Sequence, residues 1–185
     1  MRILVPIAAL LATLTLGLGA YREGPLPNMT GGFGEPSCQS CHFDNPVNAP
    51  GGSLALDGVP AQFVPGRDYE ITVTLKREGL KRGGLEMSAR FAEGADSGRQ
   101  AGAWRAPAPR LQIVPSKTDP SLMFVQHTTA GTLCSQPGSN SWTMTWTAPP
   151  AAVPVQFNVA ANATNDDASP LGDYIYLLER RANPK

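Results

Sequence analysis

Charge is scarce in this sequence, and it cancels. Only 16% of the 185 residues are Asp, Glu, Lys or Arg, 15 of each sign, against about 25% in an ordinary soluble domain. Without a net positive charge there is no electrostatic footprint for nucleic acid, which is therefore not an expected partner. Histidine and cysteine are scarcer still, at 2 and 3 residues. Long helices are excluded as well. The 18 prolines are spread along the chain, and each removes a backbone donor and clashes with the preceding helical turn. Together with 19 glycines they make up a fifth of the residues, short of the roughly 25 to 30% typical of disordered low-complexity chains. Short strands joined by turns remain.

A single long apolar run is present, from Ile3 to Leu18, behind the positive start Met1-Arg2 and ahead of the small residues Gly17 to Ala20. It falls short of the ~20 residues needed to span a bilayer. Residues 1–20 are therefore expected to be a signal peptide, cut after Gly19 or Ala20, leaving a periplasmic or secreted protein with no stable membrane anchor.

From Tyr21 to Gly66 the chain is rich in Gly, Pro, Asn and Ser and reads as an irregular segment, with one strand expected over Ser53 to Leu56. Beyond it the pattern has period two. Ile71, Val73 and Leu75 alternate with polar residues, as do Leu85, Met87, Ala89 and Phe91. The same alternation marks Leu111 with Ile113, the run Met123, Val125 and His127, and the run Trp142, Met144 and Trp146. It recurs at Val155, Phe157, Val159 and Ala161, and at Tyr174 to Leu178. Such alternation puts one face of each strand in a core and the other in water. Seven such strands between Gly and Pro turns predict an all-β, antiparallel β-sandwich over residues 67–182. Trp142 and Trp146 are expected to anchor its core. The basic pairs Lys81-Arg82 and Arg180-Arg181 read as a solvated turn and tail.

The chemistry is concentrated at Cys38-Gln39-Ser40-Cys41-His42. Thiols at this spacing can each add to one vinyl group of a haem, and the adjacent histidine then falls under the iron as proximal ligand. The expected cofactor is one haem c per chain, attached outside the cytoplasm. Three other readings stay open: a redox dithiol, although no βαβ pattern surrounds it; half of a zinc site completed by His127 or Cys134; and a local disulfide.

Counting narrows the distal ligand. His127 is the only other imidazole, so it is the expected distal axial ligand. Met29, Met87, Met123 and Met144 are its rivals, the last three lying on apolar strand faces where methionine usually fills the core. Cys134 has no cysteine partner once Cys38 and Cys41 are committed; it reads as an inert thiol or a site of intermolecular disulfide formation. Asp166 and Asp167, near Asn162, Asn165 and Asp173, read as a turn, with calcium binding as the alternative.

The Gly-rich lead Thr30 to Gly34 before the motif, Gly66-Arg67-Asp68-Tyr69-Glu70-Ile71-Thr72-Val73 and Leu85-Glu86-Met87-Ser88-Ala89-Arg90 form a recognisable set. His127-Thr128, Trp142 to Pro149 and the stretch from Asn158 to Tyr176 complete it. The combination resembles bacterial exported proteins with a Reeler-like domain, the group named choice-of-anchor V. That resemblance implies an immunoglobulin-like, Reeler-like sandwich preceded by an irregular haem-binding segment, with a functional histidine at position 127. Members often continue into a sorting tail, which is not seen here, so a soluble form is expected.

Two functions remain open. The first is an exported monohaem c-type cytochrome with bis-histidine ligation, which exchanges electrons with a redox partner protein, including other exported cytochromes. The second is an extracytoplasmic binding or adhesion module in which haem, zinc or a disulfide at the cysteine pair is structural. The sequence has no nucleophile elbow and no Gly-rich phosphate loop followed by a helix, so an electron carrier is expected in preference to a substrate-converting enzyme.

Overall fold

In a computed structural model, which describes residues 21–185, ten strands form two facing sheets. The strands are β1 (Gly52–Asp57), β2 (Gln62–Phe63), β3 (Asp68–Arg77), β4 (Arg82–Phe91) and β5 (Ala103–Arg105). They continue as β6 (Leu111–Pro115), β7 (Met123–His127), β8 (Ser139–Thr147), β9 (Val155–Thr164) and β10 (Tyr174–Pro184). One sheet runs β1-β3-β8-β5 and the other β2-β10-β9-β4-β7-β6. The chain is thus the expected all-β sandwich, antiparallel throughout except where β2 lies parallel to the end of β10. The expected signal peptide falls outside the described residues, among which no helix is long and apolar enough to cross a membrane.

Most of the period-two residues meet where the pattern puts them, with the exception of Ile113 near the outer edge of the six-stranded sheet, which is exposed. Ile71 pairs with Met144 and Val73 with Trp142 on one inner face. Leu85, Met87 and Ala89 pair with Ala161, Val159 and Phe157 on the other. Trp146 closes the space between the sheets, edge-on to Phe157 with ring centroids 4.8 Å apart, and its indole N–H donates to the Ala101 carbonyl at 2.9 Å.

Two expectations need correcting. The sandwich begins at Gly52, not at residue 67, because β1 and the two-residue β2 both join its sheets. β2 and β5 are too short, and too closely flanked by Gly and Pro, to show a period. The second correction concerns the outer face of the six-stranded sheet. β3 has the expected wet face, but Glu86, Ser88 and Arg90 of β4 and Asn158 and Asn162 of β9 are buried. The reason is that residues 21–51 fold across them.

This covering segment is held by polar contacts. The Asn28 and Met29 amides donate to the Glu86 carboxyl, Asn28 at 2.9 Å. Arg90, buried beneath, pairs with Glu35, whose carboxyl also accepts from Asn28 Nδ2 at 2.7 Å and Thr30 Oγ1 at 2.8 Å. Gly32 lies so close to Asn158 that a Cβ would overlap its side chain. Further along, Asn48 donates its amide to the Ile175 carbonyl, and its side chain accepts from Leu177, both at 2.9 Å. These bonds pair part of the open edge of β10.

Two carboxyls and one guanidinium would leave a net negative charge under this cover. Burial, first, and the neighbouring Glu35 push the Glu86 pKa up to about 8, so Glu86 is neutral at physiological pH and the buried charge is balanced. Because the folded state holds this proton more tightly than the unfolded chain, the stabilisation is complete below the ordinary value of 4.5 and is lost as pH rises through about 8. Unfolding free energy is expected to drop by a few kcal/mol (order of magnitude) between those limits. Glu86→Gln should flatten that slope in urea titrations at stepped pH, and an unchanged slope would refute the assignment.

Candidate functional site

The Cys38 to His42 pentad forms a tight turn for local reasons. Ser37 caps it, its hydroxyl accepting from the Gln39 amide at 3.3 Å. A 3-10 turn follows over Cys38–Ser40, and the chain then tightens onto one carbonyl: the amides of Cys41 and His42 both donate to Cys38 O, at 3.2 and 3.0 Å. In this coil, residues three and four apart share a face. Cys38, Cys41 and His42 accordingly all line one cavity.

That cavity, of about 530 Å³, lies between the covering segment and the outer face of the six-stranded sheet, within the ~300 to 1,000 Å³ of small-molecule sites. Its lining is mostly apolar, with Pro25, Leu26, Met29 and Phe43 prominent. Gly83 and Gly84 of β4 and Asn162 of β9 belong to its sheet side, and His127 stands at the end of β7. The β9–β10 loop supplies Asp166 to Pro170 and Asp173. The pentad and His127 are thus brought to one site, as is Met29. Of the other methionines, Met87 and Met144 are buried in the core, and Met123 packs against it at the far end of β7.

His127 reaches the site with both ring nitrogens engaged. Nδ1 accepts from the Leu85 amide at 2.9 Å, and Nε2 donates to the Tyr21 carbonyl at 3.2 Å; this network assigns the tautomer. Burial lowers its pKa, so the ring is neutral. Gly84 makes room for it: a Cβ there would lie 2.9 Å from His127 Cε1. His42 is placed differently. Its Nδ1 lies 2.8 Å from Asp173 Oδ2, and Asp173 is buried. The contact is close but not linear, since the Nδ1 proton is not aimed along a hydrogen bond.

Other groups bear on the rival readings. Burial, with the Glu86 field as a lesser cause, pushes the Cys38 thiol up to about 12, the reverse of an activated redox dithiol. Among the described residues all three cysteines are free thiols, and no three His, Cys, Asp or Glu side chains cluster as a metal set. Cys134 sits away from the cavity, its thiol 3.3 Å from the Lys81 carbonyl. The acidic loop spends its oxygens locally. Asp167 accepts from Ser169 at 2.8 Å, while Asp166 meets Arg22 at 3.1 Å and Arg82 at 2.9 Å.

Asp173, Arg22, Arg82 and Asn162 are site residues that the sequence pattern did not single out for this role. Arg82 was expected in a solvated turn; it is instead half-buried at the cavity, with Nη1 donating to Thr132 Oγ1 at 3.0 Å. Asn162 Oδ1 is buried without a partner among the described residues. Only the run of Asn and Asp around 162–173 signalled any of them.

Neither a protein-family model nor a curated protein sequence matches the chain. Among solved structures, the human F-spondin reeler domain is 19% identical, with a TM-score of 0.48 over 76% of this chain and 93% of that one. The Reelin-N domain of F-spondin is 18% identical, with a TM-score of 0.47 over 80% and 95%. A cohesin module from a Clostridium perfringens family 33 glycoside hydrolase is 10% identical, with a TM-score of 0.46 over 72% and 96%. These likenesses lie in the sandwich and say nothing of activity.

The unequal setting of the two thiols has a measurable consequence. In protein made without a c-type maturation system, Cys41, which is exposed, is expected to react with iodoacetamide more than ~10-fold faster at pH 8 than Cys38. Peptide mass mapping over time reads the two rates, and equal rates would contradict the placement of Cys38.

Proposed function

We propose that this protein is an exported electron-transfer module carrying one covalently bound haem c. One observation supports the reading above the rest: Cys38, Cys41 and His42 share an apolar cavity with His127 and Met29, a donor set that suits haem. In this reading Cys38 and Cys41 hold the porphyrin through thioether bonds, and His42 Nε2 is the proximal ligand. His127 is the distal ligand, with Met29 as its rival. Arg22 and Arg82, both lining the cavity, would face the acidic propionates, exchanging Asp166 for them. Haem iron, when bound, supplies one-electron exchange at a potential set by its axial ligands and surroundings.

The chain's own residues do the rest. Leu26, Met29 and Phe43 would give the group an apolar wall, and the Leu85 amide fixes the orientation of the His127 ring. Ligation by His127 requires Nε2 to leave the Tyr21 carbonyl. The partner is a redox protein met through small local patches, since zero net charge gives little long-range steering. The setting proposed is the periplasm or the outside of the cell.

The reading is tested by producing the full-length chain with a c-type maturation system. One haem per chain, retained through acid and organic solvent and seen in the mass and the reduced pyridine haemochrome, is expected. Loss of haem to the solvent would refute covalent attachment. Cys38→Ala with Cys41→Ala should abolish the haemochrome while leaving the sandwich folded. His127→Ala should convert the ferric spectrum from low to high spin and shift the potential; if Met29→Ala does this instead, the distal ligand is Met29.

A further inference from the structure

Asp173 is a buried carboxyl that the electron-transfer reading does not yet use. It ends the β9–β10 loop just before Tyr174 opens β10, and it is 1% exposed. Among the described residues no arginine or lysine pairs with it. Arg82 and Arg22, the cations nearest in the cavity lining, are both committed to Asp166. A carboxylate taken out of water without a partner costs several kcal/mol, so whatever faces it carries weight in the fold. Its Oδ1 accepts the Asn165 amide at 3.2 Å, and its Oδ2 lies 2.8 Å from His42 Nδ1. The loop that carries it is itself tied to the chain following His42. Asn45 Nδ2 donates to the Asp173 carbonyl at 2.9 Å, and the Gly172 amide donates to Asp44 at 2.8 Å. These bonds hold the carboxyl beside the imidazole; the Nδ1 proton is not yet aimed at Oδ2, so a turn of the His42 ring is what completes the hydrogen bond.

We infer that Asp173 is a positioning residue for His42, holding the ring proton on Nδ1 so that Nε2 is left as the metal-binding nitrogen and is made a stronger donor to the haem iron. This rests on the haem reading. The physical ground is general: a ligating histidine whose other ring nitrogen donates to a carboxylate has its tautomer and orientation fixed and its basicity raised. A more basic proximal nitrogen favours the ferric state and so lowers the reduction potential. The sandwich supplies the carboxyl from a loop more than a hundred residues downstream of the motif, so that tuning of the proximal side belongs to the folded sandwich and not to the pentad alone.

The experiment uses full-length matured protein and measures haem content by mass and pyridine haemochrome separately from the reduction potential. Asp173→Asn keeps size and hydrogen bonding but removes the charge. It should retain one haem per chain while its reduction equilibrium shifts at least tenfold toward the ferrous state, which for one electron is a rise of ~59 mV. Asp173→Glu should restore most of the wild-type value. Asp44→Asn, which perturbs the same loop without touching the imidazole, should shift it less than twofold. An Asp173→Asn protein with full haem and an unshifted potential overturns the proposal while leaving the haem reading intact; a wild-type chain that carries no haem overturns both. Should Asp173→Asn fail to fold, wild-type protein decides. In the diamagnetic reduced state its ¹⁵N-edited NMR spectrum should show a His42 Nδ1 proton protected from exchange, and a rapidly exchanging or absent proton refutes the assignment.

Discussion

The arrangement depends on one unusual surface, a sheet face that is polar in sequence and dry in the fold. Glu86, Ser88 and Arg90 point away from the core of the sandwich yet are buried, because residues 21–51 are laid over them. An uncovered face of this composition would be content in water. Covered, its ionisable groups need protein partners, and the covering chain supplies them to Glu86 and Arg90 with its own amides and with Glu35, while Ser88 Oγ and Asn162 Oδ1 stay unpaired among the described residues. Leaving Glu86 or Arg90 unpaired would cost about 1 to 3 kcal/mol. The irregular segment is therefore no loose tail, and its path across the sheet is specified by polar matching where regular secondary structure is absent.

That docking makes the site. The pentad at Cys38 to His42 could close its own turn anywhere, since the Ser37 cap and the Cys38 carbonyl are local. Only the docking sets it over Gly83 and Gly84 and opposite His127. Gly84 matters through what it omits, since a side chain there would press on the imidazole, whereas one at Gly83 would meet Asn140 and Trp142 on the inner side of the sheet. The cavity is the space between two surfaces that fit closely elsewhere. In the haem reading, tuning residues can therefore come from the β9–β10 loop as readily as from the motif.

How much of this was visible in the sequence follows from the kind of signal each part leaves. The strands that face the core were legible because an inner face must be apolar at every second position, as Leu85, Met87 and Ala89 are. The pentad was legible because its spacing is local, and His127 because there is no other imidazole to compete. β2 and β5 were not, being two and three residues long, less than one alternation can define. The buried outer face was misread because Glu86 and Arg90 look the same in sequence whether water or a neighbouring segment satisfies them. Asp173 was hidden among Asn and Asp residues that make turns for their own reasons, and nothing in a sequence separates the carboxyl that faces an imidazole from those that face solvent.

The same physics bears on which group would serve as the second iron ligand in the haem reading. Met29 lines the cavity, but its backbone is pinned, since its amide is one of the donors to the buried Glu86 carboxyl. Moving the Met29 main chain would unpick the docking on which the cavity depends. His127 has no free nitrogen, yet the bond it must give up is the inexpensive one. The Leu85 amide can stay on Nδ1 while Nε2 releases the Tyr21 carbonyl. Tyr21 is exposed, so water can replace the imidazole, and the net cost of that exchange is ~0.5 to 1.5 kcal/mol. A ligand bond to iron outweighs that easily. The imidazole is the better candidate for a reason of mechanics: its strand stays still while only the chain's first described residue has to move.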